Sequence, residues 1–357
     1  MSDNTNMTAQ TCSRKRRASE SESPPSMSEC FACGSFNNNP SENLKCTSTW
    51  TIDVLNKLKI VTTTTKIYTP MQLITRAYCY IKFDSEMDDN IQKFKEHILV
   101  RSPLHMLDFD CFKSSDVAFA LQMKSWLNQF ILDDPWNKGT EVQTGNDIRL
   151  WHMFHTHGEQ FAQQLVYMCM KQGYGPLTQY MYQILFQHFV GLFGLSLIAY
   201  PQLDGHAIKI GHVEVTSIPD VVFPCFSTNK EEIEVIAICD VKSNFNEESQ
   251  TSSDERKKVH LDDNLLGQIG GDLLAHLPLS KNQRGLLGII VQATYVTFCH
   301  LDCTLEQFVE IKTGNPDFTV NPEMCFTRPY NFLKASDRQE LIEPLLKLGF
   351  IQRMQMK

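Results

Sequence analysis

Three features that often reveal a protein's class are missing from this sequence, and the first is an excess of positive charge. The 357 residues contain 33 Lys and Arg against 41 Asp and Glu, a formal net charge of −8. This balance excludes a protein that coats nucleic acid through bulk basic charge, but not an enzyme with a small local contact area. The second missing feature is a disulfide scaffold, because 12 cysteines are about 3% of the chain and indicate a reducing compartment.

A long hydrophobic run is the third missing feature. The most apolar stretch, Phe189 to Tyr200, is about eight residues too short to span a membrane. The N-terminal residues are polar and lack the apolar segment of a secretion signal. We therefore expect a soluble intracellular protein, nuclear or cytoplasmic, with no membrane partner. The basic run Ser13 to Arg17 is either a nuclear localisation signal or a solvated charge run.

Composition divides the chain into three parts. Residues 1–49 are rich in Ser, Asn, Thr and Pro and poor in large apolar residues, so we predict a disordered tail. Residues 50–145 mix short apolar clusters with polar residues, and we predict a mostly helical accessory region there. From residue 146 to 357 the hydrophobic periodicity is much clearer, and this part is predicted to be one domain.

Helices and strands are predicted in alternation within this last part. The predicted helices cover residues 146–172, 175–193, 262–276 and 335–348, and the predicted strands cover 195–200, 207–216, 220–223, 234–242 and 286–299. Strand 234–242 is apolar until its end, which is typical of a central strand covered on both faces. The order of elements predicts an α/β fold around one mixed central sheet.

Charged residues stand at the ends of two predicted neighbouring strands. Asp220 opens one strand, while Asp240 and Lys242 end the next and share a face because they are two residues apart. Their desolvation would be unfavourable without a partner such as a metal ion or a ligand phosphate. Two carboxylates and the Val241 carbonyl can hold Mg²⁺ or Mn²⁺, and Lys242 can orient a water molecule or act on it as a base. These groups suit phosphodiester cleavage.

These residues form a motif that resembles that of a known enzyme superfamily. Pro219-Asp220 followed by Asp240-Val241-Lys242 is similar to the motif of the PD-(D/E)XK nucleases. The resemblance implies their restriction-endonuclease-like αβββαβ core, with residues 175–195 as the first helix and 286–299 as the last strand. It covers about a third of the chain.

The resemblance also implies a function and a set of site residues. We expect a Mg²⁺- or Mn²⁺-dependent nuclease that hydrolyses DNA, with RNA a less favoured substrate. Asp220 and Asp240 would be metal ligands, Lys242 would orient water and phosphate, and Gln268 on the following helix would contact the ligands or the substrate. The competing hypothesis is an inactive nuclease-like module that binds nucleic acid or a protein partner.

One part of the family pattern is missing. The family often carries an acidic residue on its first core helix, but residues 175–195 contain no Asp or Glu. Glu214, six residues before Asp220, and Glu159 on the preceding helix are the candidate replacements as metal ligands. The missing acid favours the binding module, whereas the two aspartates and the lysine together favour the enzyme.

Overall fold

A mixed β-sheet forms the middle layer of the computed structural model, and helices cover both of its faces. The structure describes residues 45–81, 85–101, 125, 146–172, 174–199, 205–225, 233–244, 261–282 and 284–353. All of these residues belong to one compact unit, Pro40–Lys357.

The helices and strands follow one another along the chain with short connections in many places. The helices are α1 (Ile52–Lys57), α2 (Pro70–Ala77), α3 (Ser85–Arg101), α4 (Asn146–Gln172), α5 (Gln179–Gly191), α6 (Asp263–His276), α7 (Leu305–Lys312) and α8 (Ala335–Arg353). The strands are β1 (Val61–Tyr68), β2 (Ile198–Ala199), β3 (His206–Ile210), β4 (Val213–Ser217), β5 (Val221–Cys225), β6 (Glu234–Lys242), β7 (Leu286–Gln292), β8 (Tyr295–Asp302), β9 (Glu323–Thr327) and β10 (Tyr330–Asn331). Within the described residues, no helix has both the length and the apolar character needed to cross a membrane.

The central sheet has the strand order β1-β9-β8-β7-β6-β5-β2, with β10 paired to β8. β1 is parallel to β9 and β6 is parallel to β7, while the other neighbours are antiparallel. Strands β3 and β4 form a separate hairpin. The predicted α/β class with a mixed central sheet is therefore confirmed.

Two hydrophobic cores lie on opposite faces of this sheet, and β6 contributes to both. Cys239 and Val241 belong to the core under α2, α4, α5 and α8, whereas Ile238 belongs to the core under α1, α6 and α7. Because side chains alternate along a strand, Asp240 and Lys242 point to the face that α6 covers. Asp240 and Lys242 therefore both face α6.

The mostly helical accessory region predicted for residues 50–145 differs from the structure in an important respect. Residues Val61–Tyr68 form the edge strand β1 of the central sheet, parallel to β9. Their sequence is rich in β-branched residues, which favour a pleated, half-buried surface. The prediction of a separate helical region is therefore wrong for this segment, while residues 102–124 and 126–145 lie outside the described part of the chain.

The boundary predicted for the disordered tail, residue 49, also changes. Cys46 forms a bridge to Thr216, and Thr47–Thr49 form a 3₁₀ turn, so residues 45–49 belong to the folded unit. Residues 1–44, including the basic run Ser13–Arg17, lie outside the described residues.

Two predicted strands are in fact hairpins. The segment 207–216 divides into β3 and β4 at Gly211, and the segment 286–299 divides into β7 and β8 at Ala293. Both turn residues have positive φ angles, 58° and 53° respectively. The second turn has Ala293 where a glycine would normally mark a turn with positive φ. The sequence therefore shows one continuous apolar run, and the turn was not predicted.

Candidate functional site

Asp220 and Asp240 come together at one end of strands β5 and β6. The strands are antiparallel and place Val221 opposite Cys239, so the residue just before β5 lies beside Asp240. Asp240 is only 1% exposed, and Asp220 is half-buried. Burial, followed by the charge of Asp240, raises the pKa of Asp220 to about 8. The site therefore holds two carboxyl groups that resist being ionised together.

Helix α5 and strand β6 hold Asp220 in place. The Val241 N–H donates to Asp220 Oδ2 at 2.7 Å, and Gln179 Nε2 lies 3.2 and 3.1 Å from Oδ1 and Oδ2. Gln183 Nε2, one turn further along α5, donates to the Asp220 carbonyl at 3.2 Å. Gln179 and Gln183 thus both contact Asp220. They lie on α5, which is the helix where the family resemblance implies an acidic residue.

Asp240, Lys242 and Gln268 form a closed ring of polar contacts. Lys242 Nζ lies 3.2 Å from Asp240 Oδ2 and donates to Gln268 Oε1 at 3.1 Å. Gln268 Nε2 in turn donates to Asp240 Oδ1 at 3.1 Å. Asp240 Oδ2 is fully buried and receives no hydrogen bond in the described part of the structure, although the ammonium is close. Within the described residues, the ion pair with Lys242 is therefore the contact that compensates the charge of this oxygen.

Lys242 carries its proton in this arrangement. Burial alone would lower the pKa of Lys242, but the charges of Asp240 and Asp220 outweigh burial and hold that pKa above its ordinary value. The side chain remains 29% exposed, so the ammonium can contact a ligand from solvent. An ammonium donates hydrogen bonds and stabilises negative charge, and it cannot accept a proton from water.

A second buried carboxyl, Asp272, lies one turn beyond Gln268 on α6. Its Oδ1 accepts hydrogen bonds from the hydroxyl groups of Thr47 and Ser217, the latter at 2.6 Å. Burial, followed by the charge of Asp240, raises the pKa of Asp272 to about 7, although both hydroxyls act in the opposite direction. Asp272 thus connects α6, the helix that carries Gln268, to the N-terminal segment and to the β3–β4 hairpin.

Glycines of α6 explain how Thr47 reaches this position. A Cβ atom at Gly267 would overlap the backbone of Thr51, and one at Gly271 would lie 2.9 Å from the Thr47 side chain. Without side chains at these positions, the segment 47–57 packs directly on the helix. Gly267, Gly270 and Gly271 lie within one helix, a pattern that favours a close backbone approach, but the sequence does not identify the segment that approaches.

The structure does not bring the two candidate replacement acids, Glu214 and Glu159, to the site. Glu214 is exposed on β4 opposite Lys209, on the other side of the hairpin from the buried Ser217. Glu159 accepts a hydrogen bond from Gln163 on its own helix at 3.0 Å.

The contacts between α4 and α5 explain the position of Glu159. His157 lies beside His188 of α5, and Gln164 Nε2 donates to the Met181 carbonyl. Glu159 therefore lies along the middle of α5, away from the first turn of that helix, which contacts the site. Within the residues that the structure describes, no group of three or more His, Cys, Asp or Glu side chains is arranged to hold a metal ion.

Two carboxyl groups still fit one kind of metal site. Mg²⁺ keeps several water ligands and is commonly bound through one or two carboxylates together with substrate phosphates. Asp220 and Asp240 offer such a pair, and Oδ2 of Asp240, which is ion-paired with Lys242 but accepts no hydrogen bond from the described residues, supplies a buried acceptor. No family model, curated protein or solved structure matches the chain. The function is therefore inferred from the chemistry of this site.

Proposed function

We propose that the chain is a Mg²⁺-dependent nuclease that hydrolyses phosphodiester bonds in DNA at Asp220, Asp240 and Lys242. The observation that carries the proposal is the closed ring of Asp240, Lys242 and Gln268 beside a second carboxyl group. One buried carboxylate oxygen of that ring receives no hydrogen bond from the described residues. A divalent cation would add a second positive contact to this oxygen beside Lys242 and would remove the repulsion between the two carboxyl groups.

The order of elements around the site supports the same proposal. The elements around the site follow the chain in the order α5, β2, β5, β6, α6 and β7. The four strands of this series are neighbours in one mixed sheet. This is the αβββαβ order that the resemblance to the PD-(D/E)XK nucleases implies, with the β3–β4 hairpin inserted between β2 and β5. The specific restriction-endonuclease-like fold is part of the proposal.

Each residue of the site has a distinct role in the proposed reaction. Asp220 and Asp240 would hold Mg²⁺, with the Val241 carbonyl as a further ligand. When bound, the ion lowers the pKa of a coordinated water and offsets charge on the phosphate. The Lys242 ammonium orients the attacking water and stabilises the negative charge that develops on the phosphate. Gln268 fixes both Lys242 and Asp240 through its amide.

The alternative proposal is a binding module without catalytic activity, and one observation favours it. Gln179 places an amide, which carries no charge, on both oxygens of Asp220. A site with two acids holds a metal more weakly than a site with three, because fewer charged ligands contribute. The two proposals differ in one measurable property, which is metal-dependent cleavage.

A cleavage assay with matched variants tests the proposal. Linear, circular and single-stranded DNA are incubated with the full-length protein in Mg²⁺, Mn²⁺ or EDTA. We expect cleavage in either metal and none in EDTA, with Asp240→Asn and Lys242→Met about 100-fold slower or more. Glu214→Gln, which removes an exposed carboxylate away from the site, should cleave within about twofold of the wild type.

The variants also exclude a contaminating nuclease, because only activity of this chain responds to them. Equal cleavage by the wild type and both site variants would contradict the proposal. Binding of DNA without cleavage in either metal would instead support the binding module.

A further inference from the structure

A long segment beside the site contains no acidic residue. From residue 160 to residue 203 the sequence has no Asp or Glu, although the chain contains 41 of them in 357 positions. The segment includes most of the second half of α4, all of α5 and β2. Lys171 is its single Lys or Arg. A negatively charged ligand would therefore meet no carboxylate from this stretch of an otherwise acidic chain.

The same segment exposes large side chains that would normally be buried. Tyr167 and Met170 are three residues apart in the last turns of α4, and Tyr174, in the turn after the helix, is 86% exposed. Tyr180, in the first turn of α5, is 48% exposed. We call these four residues the tyrosine surface.

The tyrosine surface lies at the end of the α4–α5 pair that contacts the site. The two helices are antiparallel neighbours, since Gln164 of α4 donates to the Met181 carbonyl near the start of α5. Tyr180 directly follows Gln179, whose amide contacts both oxygens of Asp220. The exposed rings and the candidate metal ligands are therefore joined by the first turn of one helix.

We propose that the tyrosine surface binds single-stranded DNA by stacking its bases and leads the strand to Asp220 and Asp240. The proposal rests on the proposed nuclease function, because the site identifies the ligand as a nucleic acid. Aromatic rings stack on any base, and single strands expose the base faces that a duplex hides. The lack of acidic residues leaves the phosphates unrepelled, and Lys171 can pair with one of them.

Fluorescence anisotropy in EDTA separates binding from cleavage. A fluorescein-labelled single strand of about 16 nucleotides, or the matching duplex, is titrated with the full-length protein. We expect Tyr174→Ala and Tyr180→Ala each to weaken single-strand binding about tenfold, or about 1.4 kcal/mol, within the range of one base–aromatic stack. Tyr174→Phe and Tyr180→Phe keep the ring and should bind within about twofold of the wild type.

Two controls complete the design. Val309→Ala removes an equally exposed apolar side chain, 63% exposed on α7, and should leave binding unchanged. Because the tyrosines are exposed, all variants should melt within about 2 °C of the wild type. Unchanged binding by the Tyr174→Ala/Tyr180→Ala double variant would overturn the inference. A loss in the Phe variants as large as in the Ala variants would overturn it as well.

The outcomes also separate this inference from the proposed function. If the wild type cleaves DNA and the double variant binds like the wild type, the inference is wrong and the nuclease proposal stands. If the wild type cleaves nothing but the Ala variants lose single-strand binding, the inference stands and the nuclease proposal is wrong. Concentration-dependent self-association that the double variant abolishes, without any DNA binding, would show a protein interface and overturn the inference.

Discussion

The pKa of Asp220 predicts that the metal-free protein becomes less stable as the pH rises from 6.5 to 8. Burial and the charge of Asp240 raise this pKa to about 8, whereas an aspartate in the unfolded chain titrates near 3.9. Between these values the folded protein keeps a proton that the unfolded chain has released. The contribution of Asp220 to stability therefore falls by about 1.4 kcal/mol per pH unit, or about 2 kcal/mol over this window, and levels off above pH 8.

The window starts at pH 6.5 because buried histidines act in the opposite direction below it. Burial lowers the pKa of His188, His276 and His300 to about 4 in each case. These side chains are protonated in the unfolded chain but neutral in the folded protein, so their contribution makes stability rise with pH between about 4 and 6.5. Above pH 6.5 each histidine adds only about 0.4 kcal/mol more, and this contribution cancels when the wild type is compared with Asp220→Asn. Asp272, with a pKa of about 7, adds to the effect of Asp220 in the lower part of the window.

Urea unfolding in EDTA, followed by far-ultraviolet circular dichroism, measures the effect at four pH values from 6.5 to 8. Asp220→Asn removes the titrating group, so its free energy of unfolding should fall less steeply than that of the wild type. The difference between the two curves should change by about 2 kcal/mol across the window. Glu214→Gln, at an exposed carboxylate, should follow the wild type. Parallel curves for the wild type and Asp220→Asn would refute the reasoning.

Further predictions concern the metal, the helix contact and the missing acid. Mg²⁺ should raise the melting temperature more at pH 8 than at pH 6.5, because its binding displaces the proton of Asp220; a larger rise at pH 6.5 in differential scanning fluorimetry would contradict this. Gly267→Ala should reduce the free energy of unfolding by about 2 kcal/mol, because the added methyl group overlaps the Thr51 backbone. The cost of this overlap should exceed the gain from the higher helix propensity of Ala. Greater stability of the variant in a urea titration would exclude that contact. Gln179→Glu should destabilise the metal-free protein, because a third carboxylate then faces Asp220. The same variant should bind Mg²⁺ more tightly in isothermal titration calorimetry at pH 8. An unchanged Mg²⁺ affinity would mean that α5 does not reach the ion.

Local patterns predicted the elements that surround the site. The continuous apolar run of β6 and the start of α6 are confirmed, and Asp262 caps α6 by accepting a hydrogen bond from the Leu265 N–H at 2.8 Å. Strand β1 was not predicted as part of the sheet, because its partner β9 lies more than two hundred residues away and Val61 pairs with Glu323. A single sequence carries no signal for such a pairing. Its β-branched residues favour a strand, although the segment was included in a mostly helical region, and they do not identify a neighbouring strand.

Within the site, too, contacts set by local spacing were predictable, whereas contacts between distant segments were not. Asp240 and Lys242 share a face because of strand geometry alone, so their proximity follows from their spacing. The amide of Gln179 on Asp220 depends on how α5 meets β5, and the buried Asp272 depends on a segment that composition had assigned to the tail. Neither Glu214 nor Glu159 supplies the missing acid, because sequence distance from Asp220 does not determine the face from which a side chain projects.

The distribution of charge is compatible with both the net charge of −8 and the proposed nucleic-acid substrate. The two carboxylates of the site are the proposed ligands of a divalent cation, so their charge would not repel DNA when the metal is bound. The described parts of the acid-free segment, residues 160–172 and 174–199, lie beside them, and the exposed rings would stack on bases without needing positive charge. A strand held mainly by stacking releases few counterions, so its affinity depends weakly on salt, unlike that of a protein that binds DNA through many lysines and arginines. In this proposal an acidic chain holds a single strand at one small surface, because that surface has aromatic rings and no carboxylate of its own.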